Sequence, residues 1–589
     1  MRVFDKLYDI SARIMYILSK PQKRLGMIVF ILTFIGAIFE TLGVSIIVPF
    51  VQVLLNQDKF LKNNYVKRII ELFNIDPSKI TGYIVFLVIL LYISKNLYLI
   101  FLAWVRSKYS CKIQRELSVL MLDSYMKRDY EFFLDHNTGD LIRGVTTDIV
   151  GVYGVIYHAL KIMTEVLTIA CICLYICISD TGLAITMILL CVMCLLLAVL
   201  VFRRKMGELG KLNWQYNADL NQHVLHVFEG IKEVIVSQRE EYFLDSYEKT
   251  YIKKQRCEVG QVVGAESPAY IIEGLCVAGV LLAIFFRIDN SGNMGDFIAT
   301  LAALAVAAFR ILPSLGRITN GFNMLTYHMP SLMAVYNNIS EVRNNKEEKN
   351  DIKYIENKFV FTKEIELKDI SWKYTRSQEK ILDGLNLKIK KGQSIAFIGQ
   401  SGAGKTTLAD ILLGILKPQI GSVKIDNQDI NELQGSWRKL IGYVPQNIYL
   451  TEQSIKNNIA FGIKEDEISE EKIEKALKQA QLFDTVQKLP EGVYTMIGEK
   501  GIKLSGGQRQ RIAIARALYE DPEVVIFDEA TAALDNETER AVMDSIEALQ
   551  GKKTLIIIAH RLTTIQKCDV IYEIVNKNIV ERKYEDLVK

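Results

Sequence analysis

The sequence predicts a two-part chain: an all-α membrane half with six spans, followed by a soluble α/β half. Three observations predict it. The chain has 589 residues, more than one ordinary domain holds. Six apolar runs long enough to cross a bilayer fall at roughly 25–54, 82–104, 159–178, 183–203, 267–287 and 296–316. Further on, IAFIGQSGAGKTTL (395–408) reads as a strand, a glycine loop and a helix start.

Composition agrees with a greasy part joined to a water-soluble one. Half the residues are apolar while 23% are charged, and the mean hydropathy is +0.17. A net charge of +4 is too small to argue for a nucleic-acid partner. The nine cysteines suggest no disulfide framework, because six of them lie in apolar runs as small hydrophobes. Cys191 and Cys194 spell C-x-x-C, but inside LLCVMCLLL they read as core side chains.

Residues 1–24 form the first element. Phe4, Leu7, Ile10, Ile14 and Leu18 recur at helical spacing among charges, with no uninterrupted apolar core, so an interfacial amphipathic helix is expected rather than a signal peptide. The membrane domain is expected over 25–340. Spans three and four are separated only by Ser179–Gly182 and must form a hairpin. The longer stretches 105–158 and 204–266 are rich in Lys and Arg, which places both of them and both termini in the cytoplasm. Residues 55–81 would then lie outside. Within them NNYVKRIIELFNI (63–75) reads as an amphipathic helix on the outer leaflet, or as a solvated connector.

The polar stretch SEVRNNKEEKNDIKYIENK opens a linker over 341–362, and a soluble domain is expected over 363–589. G-x-x-x-x-G-K-[ST] runs from Gly399 to Thr406. Gly399, Ser401, Gly402, Ala403 and Gly404 are expected to wrap backbone N–H groups round ATP phosphates, with Thr407 in the helix start behind them. Lys405 should reach the β- and γ-phosphates, and Thr406 should ligate Mg²⁺. VVIFDEA (524–530) supplies an apolar strand ending in Asp528, suited to Mg²⁺, and Glu529, suited to polarising water.

Between these motifs lies LSGGQRQRIAIARAL (504–518), and with it the chain resembles the ABC transporter superfamily, in the form of an exporter-type half-transporter. The resemblance implies further roles. Tyr374 in ISWKY would stack on adenine. Gln446 in GYVPQN would touch Mg²⁺ and water. Ser505, Gly506, Gly507 and Gln508 would close on ATP held by another subunit, and Asp535 would be the aspartate of the ATAALD loop, where the usual serine is Ala532. His560 in IIIAHRL would stand near the γ-phosphate. Because the family places ATP between two such domains, a second copy of the chain is implied, most simply a homodimer. YEFFLDHNTGDLIRGVTTDI (130–149) resembles the family's coupling region, and a second coupling helix is expected near FEGIKEVIVSQREEYF.

Cargo is argued from FRILPSLGRI (309–318). If span six starts outside near Asp296, Arg310 lies about 21 Å deep and Arg317 about 31 Å. Lys95 on span two lies about 20 Å deep, level with Arg310. In a dimer these would form a positive ring suited to pyrophosphate. The other reading pairs the arginines with Glu165 and Glu273, or lets Arg317 snorkel. FIGAIFETLGVSIIVPF and AAFRILPSLGRIT are similar to the family of lipid-linked oligosaccharide flippases of bacterial protein N-glycosylation. That resemblance implies a polyprenyl-diphosphate glycan cargo in a bacterial inner membrane. Lys95 and Ala269 stand where that family has arginine, which thins the ring. Another lipid or a hydrophobic drug is the alternative cargo.

Overall fold

The computed structural model describes residues 2–46, 50, 80–179, 181–288, 294–349, 359–374, 377–529, 536–559 and 561–587; some helix residues, 282–288 and 294–310 among them, are described in backbone only. The expected external helix over 63–75 lies outside these residues. The chain divides into two compact units, residues 1–128 with 132–347, and residues 129–131 with 348–589.

The helices that make up the first unit, all of its regular structure among the described residues, are α1 (Arg2–Ile17), α2 (Lys20–Ser45), α3 (Ile80–Met126), α4 (Tyr130–Asp135, its first two residues grouped with the second unit), α5 (Thr138–Val145), α6 (Thr147–Ser179), α7 (Thr181–Glu229), α8 (Ile231–Val236), α9 (Glu240–Ile288), α10 (Met294–Tyr327) and α11 (Met329–Lys349, its last two residues likewise). Three stretches among the described residues are long and apolar enough to cross a membrane: Lys20–Gly43, Thr81–Met126 and Thr138–Cys177.

The helices run far beyond the predicted spans. Most of 105–158 and 204–266, expected as loops, is helix. The reason is visible on α3. Lys108, Lys112 and Arg115 are exposed, while Tyr109, Ile113, Leu117 and Met121 keep a buried stripe at four-residue spacing. Lys and Arg density marks where a bilayer ends but does not end a helix whose other face still packs. That stripe meets Val152 and Val155 of α6, Ile318 and Leu325 of α10, and Leu332 and Val335 of α11 in one core.

The amphipathic N-terminal segment forms α1 and docks on α11. Arg343 donates to the Tyr16 carbonyl (2.6 Å), Arg13 lies over the Tyr336 ring, and the Tyr16 and Tyr336 rings meet edge to face at 5.3 Å. The helix is therefore held by protein contacts, which its sequence periodicity did not reveal.

The second unit holds two sheets. One is antiparallel, in the order β2 (Leu382–Lys390), β1 (Glu364–Trp372), β4 (Ile420–Ile425), β5 (Gln428–Asp429). The other has the order β10 (Asn578–Arg582), β9 (Val570–Val575), β3 (Ser394–Ile398), β8 (Thr554–Ile558), β7 (Val524–Asp528), β6 (Ile441–Val444). All its pairings are parallel except β9 with β10. Alternate residues of its central strands face different cores. Val524 and Ile526 of β7 and Ile556 and Ile558 of β8 join α12 (Lys405–Leu412) and the antiparallel sheet. Val525, Phe527, Leu555 and Ile557 join α13 (Gly506–Leu518) and α14 (Asn536–Glu547). Burial on both faces explains why these strands read as unbroken apolar runs.

Candidate functional site

Parallel pairing places the carboxyl ends of β3, β7, β8 and β6 along one edge, where ligands bind in open α/β sheets. The chain leaves that edge at Gly399, Glu529, Ala559 and Pro445, so four motifs spread over more than a hundred residues converge there.

The loop after β3 needs its glycines. Gly399 has φ +145° and Gly404 φ +101°. A Cβ on Gly399 would stand 2.9 Å from the Ile574 carbonyl, and one on Gly404 2.8 Å from Ile381. Gly404 is the left-handed residue from which α12 starts, so the first N–H groups of that helix point into the loop. Lys405 is buried and donates to the carbonyls of Gly399 (2.9 Å) and Gln400 (3.1 Å). Burial lowers its pKa, against the opposing pull of Glu529 and Asp528. Ser401, Gly402 and Ala403 complete the loop.

Asp528 ends β7 and is almost fully buried. Burial first, then the adjacent Glu529 carboxylate, raises its pKa. Thr406 and Tyr443 hydrogen-bond to it, yet its Oδ1 is buried without a partner. An orphaned carboxylate oxygen beside a threonine hydroxyl fits Mg²⁺, a hard cation that takes few protein ligands beside phosphate oxygens and water. Among the described residues no cluster of three His, Cys, Asp or Glu offers an all-protein metal cage. Bound there, Mg²⁺ would neutralise charge on the phosphates, with Thr406 and Asp528 holding it.

Glu529 has φ +50°, and its N–H is tied to the Ile558 carbonyl of β8 (3.0 Å). Gln446, two residues past β6, donates Nε2–H to Glu529 Oε2 at 2.6 Å. Tyr374 packs its ring edge-on against Trp372 at 4.3 Å, and its hydroxyl lies 3.3 Å from Thr407 Oγ1, which fixes an aromatic plane beside the phosphate loop. His560, Asp535 and Ala532 lie outside the described residues.

Ser505 caps α13 in a capping box. Its hydroxyl accepts from Gln508 N (3.3 Å), and Gln508 Oε1 accepts from Ser505 N (2.9 Å). Gly506 and Gly507 form the first turn behind it. Among the described residues no hydrogen bond joins this turn to the phosphate loop.

Two residues here escaped sequence reading. Tyr443 on β6 bonds to Asp528, and Asp410 on α12 is pushed up to about 7 by burial and by Asp528. Both occupy positions that periodicity assigns to packing, and only the assembled sheet edge shows their neighbour.

Of the expected cargo cations, Lys95 lies 3.4 Å from Glu40 Oε2, both largely buried, with its Nζ over the Tyr92 ring. Arg317 donates Nε and Nη2 to the two oxygens of Glu165 at 2.6 and 3.0 Å. Arg310 lies on α10, with its side chain outside the described set. The expected positive ring is thus neutralised at two of its three positions; Glu40 on α2 carried no signal that it would reach Lys95.

The comparisons agree with this architecture. The ABC transporter transmembrane region matches residues 26–309, and the ABC transporter family matches 382–532. The ATP-dependent lipid A-core flippase of Escherichia coli K12 is 30% identical over 495 residues, 83% of this chain and 82% of that protein. The ABC multidrug transporter mdr1 of Aspergillus fumigatus is 45% identical over 220 residues, 37% of this chain, which span only 16% of that protein. A solved bacterial Atm1-family ABC exporter with ATP bound superposes with TM-score 0.76 over 96% of each chain at 22% identity, a likeness of fold. The chain belongs to the ABC transporter family, in the exporter form that fuses a helical transmembrane region to an ATP-hydrolysing domain.

Proposed function

We propose that the chain is one half of a homodimeric, ATP-driven flippase of a bacterial inner membrane, with both termini cytoplasmic. The cargo is a lipid with an anionic headgroup, and a polyprenyl-diphosphate glycan fits best. The observation that carries this reading is the Arg317 fork, which already holds an oxyanion bidentately within the helical unit. Glu529 polarises the attacking water, Lys405 and the loop N–H groups hold the phosphates, and Tyr374 supports the base. Ser505, Gly506 and Gly507 complete the site of the other copy, with Ser505 and Gln508 holding the first turn of α13 in a capping box.

A second reading keeps the machinery and changes the cargo to a lipid A-like molecule, a phospholipid or a drug. It is favoured by the names of the relatives, a lipid A-core flippase and a multidrug transporter. The two readings separate in proteoliposomes carrying a fluorescent polyprenyl-diphosphate oligosaccharide. ATP should drive its flipping by the native chain and not by Glu529→Gln, and Arg310→Ala should lower the lipid flipped per ATP hydrolysed. A chain that hydrolyses ATP and leaves this lipid in place takes the second reading.

A further inference from the structure

The long helix α9, Glu240–Ile288, carries Pro268 well inside its length. Proline has no N–H, so the carbonyl four residues earlier, that of Gly264, loses its partner within the helix. Gly264 and Pro268 are both buried, which keeps water from replacing the lost donor. A buried carbonyl left unmade costs about as much as a lost hydrogen bond. The donor comes instead from another helix. Asn323 of α10 gives its Nδ2–H to the Gly264 carbonyl at 2.7 Å, and Asn323 is 1% exposed.

The residues around this bond fit α9 to it. Gly264 leaves room for close packing, since a Cβ there would stand 2.6 Å from Met206 Sδ of α7. Ser267 turns its hydroxyl back to the Val263 carbonyl at 2.6 Å, a bond that favours bending of a helix. Gln261 reaches Met324 Sδ at 3.2 Å, and a Cβ on Gly316 would meet the Ala269 Cβ at 3.1 Å. Residues 261, 264 and 269 of α9 thus meet 324, 323 and 316 of α10, two helices running in opposite senses. Further along, Ile272 joins Ile311 and Leu315 in one small core.

Position gives the interruption a consequence. With span five over 267–287, Pro268 stands where α9 enters the membrane. Glu240–Ser267 is then an arm about 42 Å long on the near side of it, at ~1.5 Å per residue. The missing backbone bond makes Pro268 the point at which α9 bends most readily. The replacement bond is also of a different kind. A backbone bond inside a helix breaks only when the helix unwinds, whereas a side-chain amide on a neighbouring helix lets go with both helices intact.

We propose that Pro268 is a hinge between the two arms of α9 and that Asn323 is its latch. The latch holds α9 against α10 in one state of the ATP cycle and releases it in the other. This device needs only an ATP-driven cycle and is indifferent to the cargo.

The test is hydrogen–deuterium exchange of the full-length protein in detergent, read by mass spectrometry over residues 262–276. All variants carry Glu529→Gln, so that each is measured without nucleotide and with ATP and Mg²⁺ held unhydrolysed. In the Glu529→Gln chain, ATP should change exchange of this segment about tenfold, the scale on which one buried hydrogen bond acts. Adding Asn323→Ala should make exchange fast in both states and abolish the ATP difference. Adding Pro268→Ala restores the backbone donor, so exchange should be slow in both states, and it should stay slow when Asn323→Ala is combined with it. If ATP leaves the segment unchanged, the bend is static and the proposal falls. If the ATP difference survives Asn323→Ala, Asn323 is not the latch and the proposal falls as well. Should Asn323→Ala fail to fold, Pro268→Ala decides: loss of the ATP difference upholds the hinge, and its persistence overturns it.

Discussion

Gln446 Nε2 lies 2.6 Å from Glu529 Oε2, so the two residues expected to share the attacking water are bonded to each other. They come from loops after β6 and β7, neighbouring parallel strands paired from Ile441↔Val524 to Val444↔Phe527. The bond holds Oε2 in place and leaves the carboxylate further acceptor sites, and it gives any movement of the Gln446 loop a direct route to Glu529.

The first prediction follows from that bond. Glu529→Gln should lower ATP turnover by about 10²–10⁴-fold, the usual worth of a positioned general base, while nucleotide binding persists. Gln446→Ala removes the restraint together with a ligand of the water, and should lower turnover by roughly tenfold, less than loss of the base. Steady-state phosphate release beside nucleotide binding checks both. Equal losses for the two variants would count against Glu529 as the base.

Backbone strain at Glu529 gives the second prediction. A left-handed conformation costs a non-glycine residue roughly 1–2 kcal/mol, and it persists here because the Glu529 N–H is pinned to Ile558. Glu529→Gly should therefore raise the melting temperature of the ATPase unit above that of Glu529→Gln, although both variants lose turnover. Calorimetry of the two variants decides. Identical melting would mean that the strain is relaxed in solution.

Legibility in the sequence followed locality. The phosphate loop, Asp528 with Glu529, and Ser505 with Gln508 were readable because each is a short run whose chemistry needs fixed spacing. The central strands were readable because burial on both faces leaves unbroken apolar runs. Partnerships across the fold were not. Nothing near Lys95 announces Glu40, and Tyr443 looks like any strand residue until β7 lies beside it. The long helices were misjudged for a related reason: hydropathy reports the solvent around a helix, and packing between helices decides where it ends.

Asp426 gives the third prediction, a dependence on pH. Its carboxylate accepts backbone N–H groups from Thr362 (2.5 Å), Lys363 (2.7 Å) and Glu364 (2.9 Å), and the Thr362 hydroxyl (2.8 Å). Burial alone would raise its pKa, but these bonds outweigh burial and hold it below the ordinary value of 3.8. A carboxyl depressed in the folded state binds its proton more tightly when unfolded. Its contribution is thus complete above the unfolded value and drains away as pH falls through the folded one. Asp426→Asn should destabilise the ATPase unit at pH 7, and the gap from the native chain should close towards pH 3. Thermal unfolding across that range tests it, and a constant gap would refute the carboxylate as its source.

The last prediction concerns the helical unit, where Arg143 of α5 is buried between two carboxylates and an indole. It pairs with Asp140 (2.8 Å) and Asp148 (3.4 Å) and lies 3.8 Å over the Trp214 ring, while Trp214 Nε1 donates to Asp148 at 2.8 Å. This set ties α5 to α6 and α7 inside the segment that resembles the coupling region. Asp148 is 1% exposed, so Asp148→Ala strips a buried arginine of its inner partner and should cost roughly 3–5 kcal/mol. Asp148→Asn keeps the acceptor for Trp214 and should cost less. Replacing Arg143 by Met in the Asp148→Ala background should restore part of the loss, because the uncompensated charge leaves with it. Melting temperatures in detergent of Asp148→Ala, Arg143→Met and the double variant form the cycle with the native chain, and Asp148→Asn is measured beside them. Additive losses for the double variant would show that Arg143 finds its counter-charge elsewhere, and that Asp140 alone holds α5 in place.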